Sequence, residues 1–203
     1  DVPDEALNAT QQRVKEVTVS GEPWFDSKGA AADLQGDGFP AWFLDFETVN
    51  FAIPIWSGTR PYEQLPFQYS LHQVGESGEM THKAFLDLSG KDPREAFAES
   101  LVKDCGGSGP VYVYNASFER GVMQKIAERF PQYASGLEKI IRRLVDLLPI
   151  ARKRYYHPDQ HGSWSIKAVL PCVVPDLSYG DLEGVADGGM ASAAFREALA
   201  DQT

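Results

Sequence analysis

Residues 41–48 read Ala-Trp-Phe-Leu-Asp-Phe-Glu-Thr. The apolar run after Gly38 and Pro40 reads as a buried strand that leaves the core on an acid. In extended backbone alternate side chains point the same way, so Asp45 and Glu47 share one side of this strand. Two carboxylates so placed can hold a hard cation such as Mg²⁺ or Mn²⁺. The pattern also arises wherever a strand end meets solvent, so it needs support from the rest of the chain.

Working outward, residues 67–74 (FQYSLHQV) and 80–88 (MTHKAFLDL) are β-rich and flank Gly-Glu-Ser-Gly-Glu, which predicts a hairpin. Asp92-Pro93 followed by REAFAESLVKDC predicts a helix with Pro at its start, closed by Gly106-Gly107. Residues 111–114 (VYVY) form a short strand signal, and 117–130 (SFERGVMQKIAERF) have helical spacing up to Pro131. Further on, 137–154 predicts a short strand ending near Asp146 and then a helix, and 165–174 and 189–200 predict two more helices. Upstream, 4–17 suits a helix and 19–38 (SGEPWFDSKGAAADLQGDG from Ser20) reads as loop or linker. The expected fold is therefore α/β: a mixed central sheet, an antiparallel hairpin plus parallel strands, flanked by helices. Residues 1–40 would be an N-terminal helix and linker, and 41–203 the main domain.

Composition narrows the function classes. The 203 residues are 43% hydrophobic and 24% charged, ordinary for a globular protein and unlike a disordered or fibrous chain. No apolar run reaches the roughly 18 residues that span a bilayer, and no basic flank precedes an apolar leader, so a cytoplasmic protein without a membrane partner is expected. Cys105 and Cys172 lack zinc-type spacing and are expected as buried or half-buried thiols. The net charge of −10 hides an asymmetry, because residues 120–167 hold ten basic residues against four acidic ones. A basic stripe on an acidic body suits phosphate contacts on one face, and equally a solvated helix face.

The second motif candidate is Val111-Tyr112-Val113-Tyr114-Asn115-Ala116-Ser117-Phe118-Glu119: a strand, an Asn at the turn, then an acid in the first turn of a helix. Beside the first strand, it would turn Glu119 toward Asp45 and Glu47. Without any metal, Asn115 would cap that helix and Glu119 would sit well near its positive end.

Taken in order, FLDFET, GTRPYEQLPFQYSLH, VYVYNASFERG and RLVDLLPIARKRYYHPDQHGSWSIKAVLP resemble a bacterial family of unknown function whose core is similar to the ribonuclease H-like DEDD exonucleases. The resemblance spans about residues 41–194. It implies a metal-dependent 3′→5′ exonuclease acting on DNA or RNA, a single-stranded end being favoured, through two cations held by carboxylates. Asp45, Glu47 and Glu119 would be metal ligands, with Asp146 as a further catalytic acid. Glu119 departs from the Asp usual at its place. The resemblance also implies a last motif with Tyr or His and an Asp after the Gly-rich stretch at 184–194, and the chain reaches Thr203 without one, so the expected domain lacks it. Tyr179 to Glu183 has superficially suitable spacing but lies among loop residues, and Asp187 and Asp201 have no Tyr four residues before them. His157 and His161 precede that region and read as surface residues.

Substrate contacts are expected from Thr48, Asn115 and Phe118 beside the acids, and from Arg60 and Tyr62 in the loop after the first strand. Ser165 and Lys167 lie in a Gly-Ser-Trp-Ser-Ile-Lys stretch suited to a backbone phosphate at a helix start, or to a capped helix with Trp164 packed inward. The Arg152–Tyr156 run interleaves cations and rings as single-strand binders do, or forms a solvated helix end. The start at Asp1 reads as a cut from a longer protein, with a nuclease-type domain expected before it. The alternative function is a catalytically inactive nucleic-acid-binding or interaction module on the same fold. A paired-carboxylate glycosidase ranks last, because Asp45 and Glu47 are too close on one strand to flank a glycosidic bond.

Overall fold

The computed structural model describes residues 2–34, 38–177 and 188–200. Between a 3₁₀ turn at Asp4–Ala6 and the chain's last described residues come α1 (Ala9–Ser20), β1 (Trp24–Phe25), α2 (Ser27–Asp33), β2 (Ala41–Val49), β3 (Leu65–Val74), β4 (Met80–Leu86), α3 (Arg94–Asp104), β5 (Val111–Val113), α4 (Ala116–Arg129), α5 (Pro131–Ile141), β6 (Leu144–Asp146), α6 (Leu147–Arg154), β7 (Tyr155–Tyr156), a 3₁₀ turn at Pro158–Gln160, α7 (Ile166–Val173) and α8 (Gly188–Ala200). They fall into two compact units: Asp37–Val145 with Glu183–Thr203, and Asp1–Gly36 with Asp146–Leu182. No described helix is long and apolar enough to cross a membrane.

The larger unit is α/β, as the order of elements predicts. Its mixed five-stranded sheet runs β4-β3-β2-β5-β6, with β2 antiparallel to β3, β3 antiparallel to β4, and β2 parallel to β5. The predicted hairpin forms across Gly75–Glu79, where Gly75 N–H donates to the Glu79 carbonyl and Gly78 takes a left-handed φ of 85°. Period-two patterning assigns the faces of β2. Trp42, Leu44 and Phe46 are buried against Phe97, Ala98 and Leu101 of α3, Val122, Met123 and Ile126 of α4, and Leu137 and Ile140 of α5. Each large side chain buried there contributes roughly 1.5–3 kcal/mol relative to exposure. Phe43, Asp45, Glu47 and Val49 alternate with these residues and belong to the other face.

A register shift makes that second face asymmetric. Glu47 pairs with Gln68 but Thr48 with Pro66, leaving Phe67 as the extra residue of a β-bulge. Both Phe67 and Gln68 then border the Glu47 side. Phe67 stacks on Phe195 of α8 at 4.1 Å between centroids, in a second cluster with Val49, Leu65 and Ala191. The helix predicted at 189–200 therefore packs on the acid-bearing side of the sheet, at its Val49 end.

The smaller unit departs from expectation. The stretch read as loop or linker, 19–38, holds β1 and α2. β1 pairs with β7, Trp24 opposite Tyr156. Asp26 caps α2 by accepting from Gly29 N–H at 2.9 Å. Arg154 bonds Asp26 (2.6 Å) and Asp33 (2.8 Å), and Lys153 bonds Asp33 (3.3 Å). A two-residue strand and a seven-residue helix carry no periodic signal, and the partners that stabilise them lie far along the chain. Of the described residues, 2–34 and 146–177 belong to this smaller unit, and 38–145 with 188–200 to the larger one.

Candidate functional site

β2 brings Asp45 and Glu47 to one face of the sheet, with Asp45 opposite Ser70 and Glu47 opposite Gln68. Asp45 remains open to solvent. Enough protein surrounds it, however, that desolvation raises its carboxyl above the ordinary value, the Phe46 N–H offsetting part of that rise. A carboxylate held at such a cost gains from a bound cation, which favours the charged form. Glu47 is half-buried beside the first residue of α8: a Cβ added at Gly188 would stand 3.0 Å from its Oε2. The glycine allows this approach, and the positive end of the helix favours a carboxylate there.

Glu119 is 3% exposed, in the first turn of α4. Parallel pairing of Phe43 with Tyr112 ends β5 next to the middle of β2, so α4 starts from the edge at which β2 presents Asp45. Asn115, between them, has φ 78° and ψ 62°. It does not cap the helix with its side chain, which corrects that sequence expectation. Its Oδ1 instead accepts from the Ser117 hydroxyl at 2.8 Å. Asn tolerates the left-handed region better than most residues, and the turn from β5 into α4 uses that tolerance.

A family model described as a domain of unknown function, DUF2779, matches residues 42–165. The chain belongs to the DUF2779 family. No curated protein and no solved structure matches it. The matched span of this DUF2779 chain runs from the second residue of β2 to the residue before α7, and so includes Asp45, Glu47, Glu119 and Asp146.

Asp146 has a local role. Its Oδ1 accepts from Leu148 N–H at 3.0 Å and caps α6 in the smaller unit. Among the described residues, no group of three or more His, Cys, Asp or Glu side chains is gathered to hold a metal ion. What β2 itself assembles is the Asp45–Glu47 pair. Tyr179 to Glu183, Asp187 and Asp201 lie outside the described residues.

The expected substrate residues divide between the two units. In the larger unit, Thr48 donates to Gln64 Oε1 at 2.6 Å at the bulge, and Phe118 packs on the main core. Phe118 is half-buried there. Arg60 and Tyr62 line a cavity with Lys125 and Arg129, described further below. In the smaller unit, Ser165 precedes α7 without capping it by its side chain, and Lys167 follows in the helix's first turn. Trp164 donates to the Tyr155 carbonyl at 3.0 Å and lies 5.2 Å from the Tyr156 ring, which matches the inward-packed reading.

The Arg152–Tyr156 run is largely structural. Lys153 and Arg154 pair with acids, Tyr155 donates to the Cys172 carbonyl, and Tyr156 is buried. Arg152 is the exposed member of the run that carries none of these bonds through its side chain. His157 accepts from Asp159 N–H at 3.2 Å, and His161 is an exposed residue at φ 47°. Both cysteines are free, Cys105 buried and Cys172 half-buried, as expected.

Three features escaped the sequence reading. Gly188 beside Glu47 depends on how α8 lies on the sheet. The buried Arg94 hides in an ordinary amphipathic helix. Lys125 and Arg129 carried a signal, their i, i+4 spacing on one helix face, but the loop opposite them was not predictable.

Proposed function

We propose that this DUF2779 protein is a divalent-cation-dependent phosphodiesterase with a ribonuclease H-like core, acting on DNA or RNA as a 3′→5′ exonuclease. The observation that carries the reading is the Asp45–Glu47 pair on one face of the central strand, with Asp45 solvent-open and its carboxyl raised by desolvation. The mixed sheet, a buried acid opening the helix after the neighbouring parallel strand, and a C-terminal helix returning to the acid-bearing side support it.

The donor set fits Mg²⁺ or Mn²⁺, because both groups are hard oxygen ligands. When bound, such cations activate a water and stabilise the leaving oxygen in an in-line displacement at phosphorus. The chain's own residues hold the charge in place. Asp45 supplies a carboxylate that no described cation neutralises, and Glu47 lies beside the start of α8. Glu119, in the first turn of α4, is not gathered with them into a group of three, so the reading rests on the pair.

Calorimetric titration with Mn²⁺ of the wild type, Asp45→Asn and Glu47→Gln tests the site, alongside degradation of end-labelled single-stranded DNA and RNA. Binding lost in Asp45→Asn, with degradation abolished by EDTA, is expected. Full degradation in EDTA, or equal Mn²⁺ binding by all three proteins, overturns the reading. One observation favours a second reading, a non-catalytic nucleic-acid-binding module: Glu47 at the start of α8 and Asp146 capping α6 are each placed as acids that need no metal.

A further inference from the structure

Outside the acid pair, the larger unit has a cavity of about 490 Å³ lined by Arg60, Tyr62, Glu63, Lys125, Glu128 and Arg129, with Gly58, Pro61 and Arg94 completing its wall. Arg60, Lys125 and Arg129 are exposed, and among the described residues none of them forms an ion pair. Lys125 and Arg129 are four apart on α4, where like charges repel unless something negative lies between them. Glu63 does not serve them. Its Oε1 accepts from Arg94 Nη1 at 3.1 Å and its Oε2 from Arg60 N–H at 2.9 Å. Glu128 is then the one lining acid left against three cations.

The wall facing α4 is built in advance. Arg94, 4% exposed, is clamped between Asp92 and Glu63, which anchors the loop carrying Arg60 and Tyr62. The Arg129 guanidinium crosses Gly58, where φ is +77° and an added Cβ would stand 2.9 Å from Nη2. Tyr62 holds φ 59°, a region costly for a bulky side chain, and the residue is 69% exposed at the rim. Its N–H donates to the Phe51 carbonyl at 2.8 Å, which fixes that conformation.

We propose that this cavity binds the phosphate of a nucleotide, with Arg60, Lys125 and Arg129 on the phosphate oxygens and the base stacked on Tyr62. Arginine matches phosphate geometry bidentately, lysine adds a point charge, and an exposed ring offers a face to any base. The site is separate from Asp45 and Glu47 and stands whether or not they hold a cation. A free mononucleotide and the end of a single strand present the same chemistry.

The test measures binding in EDTA, by fluorescence anisotropy of a 5′-phosphorylated oligothymidylate and by calorimetry with thymidine monophosphate and with inorganic phosphate. The Lys125→Gln/Arg129→Gln double variant replaces exposed residues, and its urea midpoint reports that the fold is kept. Oligomer affinity falls at least roughly tenfold, and the slope of log affinity against log salt shrinks by about 1.4 for two lost phosphate contacts on a single strand. Tyr62→Ala weakens thymidine monophosphate while leaving inorganic phosphate unchanged. Competition by the mononucleotide as strong as by the oligomer identifies a mononucleotide site, and competition by the oligomer alone identifies a strand end. Wild-type affinity and salt slope in the double variant, or no binding of any of the three ligands, overturns the proposal. Asp45→Asn retains this binding, so failure of the cation site and failure of this one read out separately.

Discussion

Replacing Arg94 by Met removes the charge from a buried ion cluster while keeping much of the apolar stem. Arg94 is 4% exposed and gives Nε and Nη2 to Asp92 (3.0 and 2.6 Å) and Nη1 to Glu63 (3.1 Å). Without the guanidinium, two carboxylates that are 24% and 17% exposed face a gap with no counter-charge. Breaking a buried pair from one side costs about 3–5 kcal/mol. The acids here keep some contact with water, so the lower end, about 3 kcal/mol, is expected. For a chain of this size that lowers the midpoint of thermal unfolding by about 6–12 °C. Urea denaturation followed by tryptophan fluorescence measures the free energy directly. A triple variant, Arg94→Met with Asp92→Asn and Glu63→Gln, recovers most of the loss, because no charge is then stranded. A loss below about 1 kcal/mol in the single variant refutes the reasoning, since it would make this an ordinary surface pair. A triple variant as unstable as the single one refutes it differently, assigning the loss to the packing of Arg94 over Phe130, 6.0 Å from the ring centroid.

Two further outcomes concern pH. Burial raises the Asp45 carboxyl above the ordinary 3.8, so its folding contribution is favourable below that value and is lost as pH rises through the folded one. Asp45→Asn therefore stabilises the cation-free protein at neutral pH, with the gain fading as pH falls through the raised folded value and gone below 3.8, and a pH series of urea midpoints showing a loss at neutral pH contradicts this. Asp33, bonded by Arg154 and then by Lys153, is held down at about 2, so its contribution is present above the ordinary value and lost as pH falls through about 2. Arg154→Met returns the NMR titration of Asp33 toward 3.8, and an unchanged midpoint shows that Arg154 is not the cause.

Legibility of the fold followed the range of the signal. β2 with its Asp-x-Glu, the Gly75–Glu79 hairpin, α3 after Asp92-Pro93 and α4 up to its stop before Pro131 were all readable, because periodicity, turn residues and proline act within a few positions. β1 and α2 were not: Trp24 pairs with Tyr156 and Asp26 with Arg154, partners more than a hundred residues away. For the same reason the sequence of the Arg152–Tyr156 run does not show that Asp26 and Asp33 hold Lys153 and Arg154. Pro131 predicts the stop of α4 without announcing the helix at 131–141 that it opens, although proline suits the first turn of a helix, where its absent N–H costs nothing.

By itself, then, the sequence determined an α/β chain whose second strand carries two acids on one side, since alternation follows from backbone geometry alone. Tertiary structure decided what surrounds those acids. Phe67, the extra residue of the bulge, stacks on α8, whose first residue Gly188 lies beside Glu47, while the clamp on Arg94 holds the loop of Arg60 and Tyr62 that shares a cavity with Lys125 and Arg129. Each of these is an encounter between segments distant along the chain, settled by packing and charge neutralisation in three dimensions rather than by the preferences of neighbouring residues.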